Sequence, residues 1–250
     1  YEGISQLLYP LKNNDGLVKI LNGTAAYMPS IADHSVDLVC MDPPYYNNVQ
    51  YAELSDYFYV WQKRTLKDLY PDYFANRLTN KQDEAVANPD RDGGSKKAQK
   101  AYERMMGEIF SECKRVLKDD GLMTLMFTHK SQEAWEALTL SLIQNSWVIT
   151  SSIPVEAEST HSMHLMEKAG AVSSVFLACR KRSTVWKEPA VWQGFGGTGI
   201  QHQIRDAVKE GLQDFKHLNL NPVDEMVSCY GRALRVLSEN WPVLDGEEEV

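Results

Sequence analysis

Short apolar runs alternate with longer segments of helical periodicity along most of this chain. The apolar runs predict β-strands over Val36–Met41 and over residues 17–21, 122–127, 147–153 and 172–179. Apolar positions spaced three and four apart predict helices over residues 53–69, 98–117, 131–143, 199–215 and 222–238. Strands that alternate with helices indicate an α/β fold built on a mostly parallel, doubly wound sheet.

Two changes of composition suggest boundaries. Residues 76–100 are polar and contain a run of Asn, Pro, Asp and Gly, which predicts a long insertion loop. After residue 184 the apolar runs give way to two amphipathic helices. We therefore predict a catalytic domain over residues 1–184 and a helical C-terminal extension over residues 185–250.

Some apolar positions are predicted to face the core. Five of them follow helical spacing between residues 53 and 69, and such a stripe is more often core than a binding surface. They are Tyr57, Phe58, Val60, Trp61 and Leu66. Cys40 and Cys179 lie inside apolar strands, where a free cysteine behaves as a small buried hydrophobe.

The composition of the chain limits the kinds of molecule that it can bind. The chain has 250 residues and 43% hydrophobic residues, enough for a sizeable core. Its net charge of −8 argues against a uniformly basic nucleic-acid surface, so any such contact needs a local patch, a protein partner or a further domain. No apolar run is long enough for a membrane span. The four cysteines are widely spaced, which indicates neither a zinc site nor disulfides and suits a cytoplasmic protein.

Asp42-Pro43-Pro44-Tyr45 is the most informative motif, because it directly follows a predicted strand. A carboxylate and the carbonyls of a rigid Pro-Pro segment can accept the two N–H bonds of an exocyclic amine. The Tyr45 ring offers a stacking face for a flat base. The alternative is an ordinary turn at a strand end, since Pro and Asp are common turn residues.

In this context the motif resembles that of the S-adenosylmethionine-dependent amino-methyltransferases, which act on adenine N6 or cytosine N4. The run from Asp42 to Trp61 is similar to the large adenine-specific DNA methylases with a Zn-ribbon, whose zinc ligands this chain lacks. Further matches cover residues 115–121, 127–130, 133–138, 173–180 and 230–237. The resemblance implies a Rossmann-like fold in which the last two strands form an antiparallel pair at one edge, giving an antiparallel edge strand.

The resemblance also implies S-adenosylmethionine as cofactor, held partly by a glycine-rich Phe-x-Gly-x-Gly turn. Phe195–Gly199 matches those letters, but no clear apolar strand precedes it. We therefore expect the turn to lie in upstream sequence that this chain lacks. The remaining cofactor edge is predicted at Asn22, Gly23, Thr24 and Asp42, although Thr24 stands where the family has an Asp.

The predicted catalytic residues are Asp42, Pro43, Pro44 and Tyr45. Substrate contacts are predicted at Tyr46, Asn47 and Tyr51 after the motif, at His129 after a later strand, and at Lys96 and Lys97 in a basic cluster. Ordinary loop polarity, a structural histidine and a solvated helix face are the competing interpretations. The expected function is methyl transfer to the exocyclic amine of a flipped DNA base, with adenine N6 as the expected target. The same chemistry on RNA, and a non-catalytic nucleic-acid-binding or scaffold subunit of a modification or defence system, are the alternatives.

Overall fold

A computed structural model describes residues 19, 21, 23–156, 173–182, 188–194, 198–218, 220–245 and 248–249. Its strands are β1 Val36–Met41, β2 Leu117–Phe127, β3 Trp147–Glu156, β4 Ser173–Lys181, β5 Ala190–Val191, β6 Val243–Asp245 and β7 Glu248–Glu249. Its helices are α1 Tyr51–Leu66, α2 Pro89–Asp92, α3 Ser95–Val116, α4 Gln132–Gln144, α5 Ile200–Phe215 and α6 Pro222–Asn240. Short 3₁₀ turns cover Pro71–Phe74 and Lys216–Leu218. The strand predicted over residues 17–21 falls largely outside the described residues.

The main sheet has four strands in the order β1-β2-β4-β3. β1 is parallel to β2, whereas β4 is antiparallel to both of its neighbours. The α/β class is therefore confirmed, but one pairing of three in this sheet is parallel, which is not the mostly parallel layout that we predicted. The predicted antiparallel pair at one edge is present as β3 and β4.

In the described sheet β3 is the edge strand and is antiparallel to its neighbour β4, which agrees with the predicted antiparallel edge strand. β4 lies between β2 and β3, and its inward residues Val175, Leu177 and Cys179 are completely buried. β3 carries Thr150, Ser151 and Ser152 in its middle and takes the edge position instead. The more apolar strand gains more from the position with a neighbour on each side, and a polar strand is better tolerated at an edge.

One face of the sheet carries the core. Alternate residues of β2 point into it, and Leu125 and Phe127 lie opposite Leu177 and Val175 of β4. Helix α3 supplies large buried side chains to the same cluster, including Phe110. Helix α6 packs against β3 so closely that a Cβ at Gly231 would collide with Ser152. The boundary predicted at residue 184 stays a prediction.

The other face of the sheet is accessible in the part of the chain that the structure describes. Leu38 on β1, and Ile153 and Val155 on β3, are exposed. Cys40 is exposed as well, because strand side chains alternate and it points away from Val39 and Met41. The prediction that Cys40 is buried is therefore wrong. Cys179 is buried as predicted, and burial raises the pKa of its thiol to about 12.

Helix α1 contradicts the prediction of a core-facing stripe. It has no buried residue, and Tyr57, Phe58, Val60 and Trp61 are all exposed. The helix is attached to the rest of the described chain through polar contacts on its opposite side, so its aromatic side faces outward. No helix in the described segments is long and apolar enough to cross a membrane.

The predicted insertion loop over residues 76–100 is more ordered than expected. It contains α2 and the first turn of α3, and Val86 and Ala87 are buried. Arg91 holds the segment together, because its guanidinium donates to the carbonyls of Lys81 (3.0 Å), Glu84 (2.9 Å) and Val86 (2.7 Å). It also forms an ion pair with Asp92 at 2.8 Å. Arginine suits this role because its planar group carries five donors.

Candidate active site

The predicted motif lies at the carboxyl end of β1. Strand β1 ends at Met41, so Asp42 is the first residue beyond the sheet. Because β2 is parallel and β4 antiparallel, the end of β2 and the beginning of β4 meet at the same edge. A cavity of about 510 Å³ opens there. It is lined by Asp42, Pro43, Pro44, Tyr45, Tyr51, Met126 and Ser174.

Tyr45 links the motif to the core and to Asp42. Its ring makes an edge-to-face contact with Phe127, with centroids 5.4 Å apart. Burial, followed by a hydrogen bond to the Asp42 carboxylate and the charge of that carboxylate, raises the pKa of Tyr45 well above its usual value. The Tyr45 hydroxyl therefore stays neutral inside the pocket.

The two proline carbonyls are not equivalent. The Pro44 carbonyl accepts from the Tyr102 hydroxyl at 3.1 Å and from the Tyr46 amide at 3.0 Å. Those two bonds use both of its lone pairs. Tyr102 is completely buried on α3. The Pro44 carbonyl thus fixes the loop in place, and the geometry favours the Pro43 carbonyl as a substrate acceptor.

Tyr46 adopts an unusual backbone conformation. Its φ of 57° is in the left-handed region, which costs free energy for a residue other than Gly. Edge contacts hold its ring against Tyr102 at 5.2 Å and against His129 at 5.7 Å between centroids. Its carbonyl accepts from the Ala87 amide at 3.0 Å. Tyr46 is thus a support for the loop and does not line the cavity.

His129 holds the same loop from the end of β2. Its Nδ1 accepts from the Ser131 amide at 3.0 Å, so the proton of the neutral ring belongs on Nε2. That nitrogen is 3.2 Å from Oδ1 of Asn47 and donates to it. Burial, then the charge of Lys130, lowers the pKa of His129, which favours this neutral form. Asn47 and His129 are thereby brought together beside the cavity.

Of the remaining predicted substrate residues, one lies at the cavity and two do not. Tyr51 lines the cavity, and burial together with the Asp42 charge raises the pKa of its hydroxyl. Lys96 and Lys97 lie in the first turn of α3, exposed, and are not among the lining residues.

Only part of the predicted cofactor edge reaches the cavity, because Asp42 lines it and Gly23 and Thr24 do not. Gly23 and Thr24 are exposed, and the Thr24 hydroxyl accepts from the nearby Ala26 amide at 3.2 Å. Neither lines the cavity beside Asp42, and Asn22 lies outside the described residues.

The glycines around Phe195–Gly199 have a local structural role. Residues 195–197 lie outside the described residues, and the segment joins β5, in a separate small sheet, to α5. A Cβ on Gly194 would meet Thr198 and the Gly199 amide, and one on Gly199 would collide with Gly194 and Trp192. Both glycines are required because the two ends of the loop touch. Whether this loop binds a cofactor stays a prediction.

A larger cavity of about 690 Å³ lies where β2 begins and β4 ends, away from the motif. Its lining includes Arg115, Lys181 and Arg182. These cations already have protein partners, since Arg115 pairs with Glu112 at 2.7 Å and Lys181 with Asp119 at 3.0 Å. Arg182 donates to the Ser238 carbonyl at 2.8 Å. The guanidinium and ammonium groups of these three residues are therefore already engaged within the protein.

Three residues of the site were not found by sequence reasoning. They are Tyr102, Met126 and Ser174. Met126 and Ser174 adjoin strand ends, a position that could have marked them once the strand order was known. Tyr102 looks like any other core residue of an amphipathic helix, so the sequence carried no signal for its bond to Pro44.

Comparison with known proteins identifies the family of the chain. No curated protein matches the chain. The profile of the N6_N4_Mtase family, described as DNA methylase, matches residues 36–220, which include the motif, the whole main sheet and α5. That match covers well over half of the 250 residues. The chain therefore belongs to the N6/N4 DNA methylase family, the DNA methyltransferases that modify adenine N6 or cytosine N4.

Proposed function

We propose that this chain transfers a methyl group from S-adenosylmethionine to the exocyclic amine of a base flipped out of DNA, with adenine N6 as the target. One observation carries the proposal. The cavity at the end of β1 combines the Asp42 carboxylate with the Pro43 carbonyl and the rings of Tyr45 and Tyr51. It thus offers acceptors for an amine next to surfaces for a flat ring.

The acceptors address the main chemical difficulty. The lone pair of an exocyclic amine is delocalised into the ring, which makes the nitrogen a poor nucleophile. When Asp42 and the Pro43 carbonyl each accept one N–H, a more tetrahedral nitrogen is favoured and its lone pair is released. The same carboxylate can take the proton that the nitrogen loses after transfer. Positioning of this kind lowers barriers by several kcal/mol.

The walls of the cavity suit a base. The Tyr45 ring is held against Phe127, so it presents a fixed surface. Tyr51 and Met126 add an aromatic and a polarizable side chain. Stacking of a base on such rings is worth about 1–3 kcal/mol. A volume of about 510 Å³ is large enough for a single base, purine or pyrimidine.

The fit to the cofactor is partial. S-adenosylmethionine, which this family uses, supplies an electrophilic methyl group on its sulfonium. Asp42 lies where an acceptor for that methyl would be held, but Gly23 and Thr24 do not line the cavity. That observation favours a second candidate, a non-catalytic subunit that binds nucleic acid. The Asp42 carboxylate, which lines the cavity together with Pro43 and Tyr45, favours catalysis.

The test uses Asp42→Ala, with Asp37→Ala on the preceding strand as the matched control. Asp37 is exposed and pairs only with Lys118 on the surface, so its loss changes stability little. We expect Asp42→Ala to reduce methyl transfer to DNA by about a hundredfold or more, with an unchanged melting temperature. Mass spectrometry of the nucleosides distinguishes N6-methyladenine from N4-methylcytosine. An RNA strand of the same sequence tests whether methyl transfer requires deoxyribose in the substrate.

Normal turnover of Asp42→Ala would rule out this mechanism. Calorimetry of S-adenosylmethionine binding separates the second candidate, because a folded chain that binds DNA but neither binds the cofactor nor transfers methyl groups is a non-catalytic subunit.

A further inference from the structure

The outward side of α1 is an aromatic stripe, defined here as Leu54, Tyr57, Phe58 and Trp61. Their spacing of three and four residues places them on one side of the helix. Their exposed fractions are 63%, 68%, 63% and 55%. An amphipathic helix in a folded protein normally buries such a stripe. In the described part of the chain nothing covers this one.

The helix is held by its opposite side. Asp56 accepts from the Thr79 amide at 3.0 Å and pairs with Lys81 at 2.6 Å. The Tyr59 hydroxyl donates to the Asn76 carbonyl at 2.8 Å. Asp56 and Tyr59 lie about half a turn from the stripe. These contacts fix which side of α1 faces outward, so the exposure of the stripe is a consequence of the packing.

The stripe begins at the active-site cavity. Tyr51, the first residue of α1, is one of the lining residues. From Tyr51 to Trp61 the helix advances about 15 Å. Stacked nucleotides rise about 3.4 Å each along a strand, so the distance from Tyr51 at the cavity to Trp61 matches about four of them. A strand whose target base enters the cavity has its neighbouring nucleotides within reach of these rings.

The charges at the far end suit a phosphate backbone. The Arg64 guanidinium lies over the Trp61 ring, 4.9 Å from its centroid. It therefore presents a cation beside a stacking surface. Lys67 is exposed just beyond the end of the helix. The one acidic residue of the first turn is Glu53, at the cavity end. The cations thus lie away from the Asp42 carboxylate, where phosphates would run.

We propose that the aromatic stripe binds the DNA strand that flanks the target base, with bases stacked on its rings and phosphates near Arg64. The inference rests on the proposed function, because it takes the cavity as the place where the target base enters. A second copy of the chain is a poorer occupant. The exposed parts of four such side chains amount to roughly 500 Å², short of the roughly 800 Å² per partner of a stable protein interface.

The experiment measures the affinity of the full chain for a fluorescein-labelled, adenine-containing single strand and for its duplex. Trp61→Ala and Tyr57→Ala are each expected to weaken binding about fivefold to a hundredfold, the equivalent of one lost stacking contact. Tyr27→Ala is the control, since Tyr27 is also 68% exposed and lies outside the stripe. It should stay within about twofold of the wild type. Arg64→Gln should lower the slope of log affinity against log salt by about one.

Three results would contradict the proposal that the aromatic stripe binds DNA. They are a wild-type chain that does not bind DNA, stripe variants that bind as tightly as the control, and stripe variants that lose a dimer in sedimentation while DNA affinity is kept. Failure of the proposed function looks different. A wild-type chain that binds DNA through the stripe but transfers no methyl group would refute the enzyme and leave the surface in place. Unchanged cofactor binding in the stripe variants confirms that the cavity is intact.

Discussion

Helices α1 and α3 both carry an apolar stripe next to the same cavity, but the stripe of α3 is buried and that of α1 is exposed. The 22-residue α3 buries seven side chains, whereas the 16-residue α1 buries none. Helix α3 lies against the sheet and α4, and from there Tyr102 reaches the Pro44 carbonyl. Helix α1 is attached through polar contacts to residues 76–84. An amphipathic pattern therefore shows which side of a helix is apolar, but it does not show whether that side packs in the core or faces outward.

The same substitution on both helices gives the sharpest comparison. Phe110 is completely buried on α3, and Phe58 is exposed on α1. We expect Phe110→Ala to lower the free energy of unfolding by about 3–5 kcal/mol, because it leaves a cavity in the core. Phe58→Ala should change it by less than about 0.5 kcal/mol. Urea unfolding of the two variants measures the difference, and similar losses would mean that α1 is packed as α3 is.

The second prediction concerns Arg91, which holds together the segment between α1 and α3. Arg91→Ala removes three bonds to carbonyl groups and leaves Asp92 without its ion pair. We expect a loss of about 2–4 kcal/mol in the free energy of unfolding. Arg104→Ala is the control, because its pair with Glu108 is on the surface and is worth less than about 1 kcal/mol. Equal effects of the two changes would show that residues 81–92 contribute no more than a surface loop.

The smallest expected effect concerns His129 and pH. Burial lowers its pKa in the folded chain below the ordinary value of 6.5. The unfolded chain therefore takes up a proton first as the pH falls, so the stability contributed by neutral His129 is complete above pH 6.5 and is lost below it. The slope is at most about 1.4 kcal/mol per pH unit. We expect the melting temperature of the wild type to fall more steeply below pH 6.5 than that of His129→Asn. Parallel curves would show that His129 is not held in its neutral form.

Most elements of the fold could be predicted from the sequence. The β1 boundaries agree with the prediction, and the helices at residues 131–143, 199–215 and 222–238 differ from it by two residues or fewer. Ser131 caps α4 as a helix-starting serine does, accepting from the Ala134 amide. These features depend on neighbours within a few positions, so local pattern is sufficient. The pocket members Asp42, Pro43, Pro44, Tyr45 and Tyr51 were predicted for the same reason, since they follow one strand.

Other predictions failed because they required distant partners. Cys40 was expected to be buried, but its side of β1 is covered by no described element. Likewise, the sequence did not indicate that both lone pairs of the Pro44 carbonyl are used, since one donor comes from Tyr102, 58 residues away. The same limit applies to His129, whose role depends on its contacts with Asn47 and Ser131.

The sequence by itself determined where most of the described strands and helices form and that Asp42-Pro43-Pro44-Tyr45 directly follows a strand, because those features follow from periodicity and from adjacent residues. Only the tertiary structure decided the position of β4 inside the sheet, the difference between the two proline carbonyls and the outward side of α1. Each of these depends on contacts between segments far apart in the chain. Such contacts are selected by the burial of the whole sheet and its helices, which no local pattern encodes.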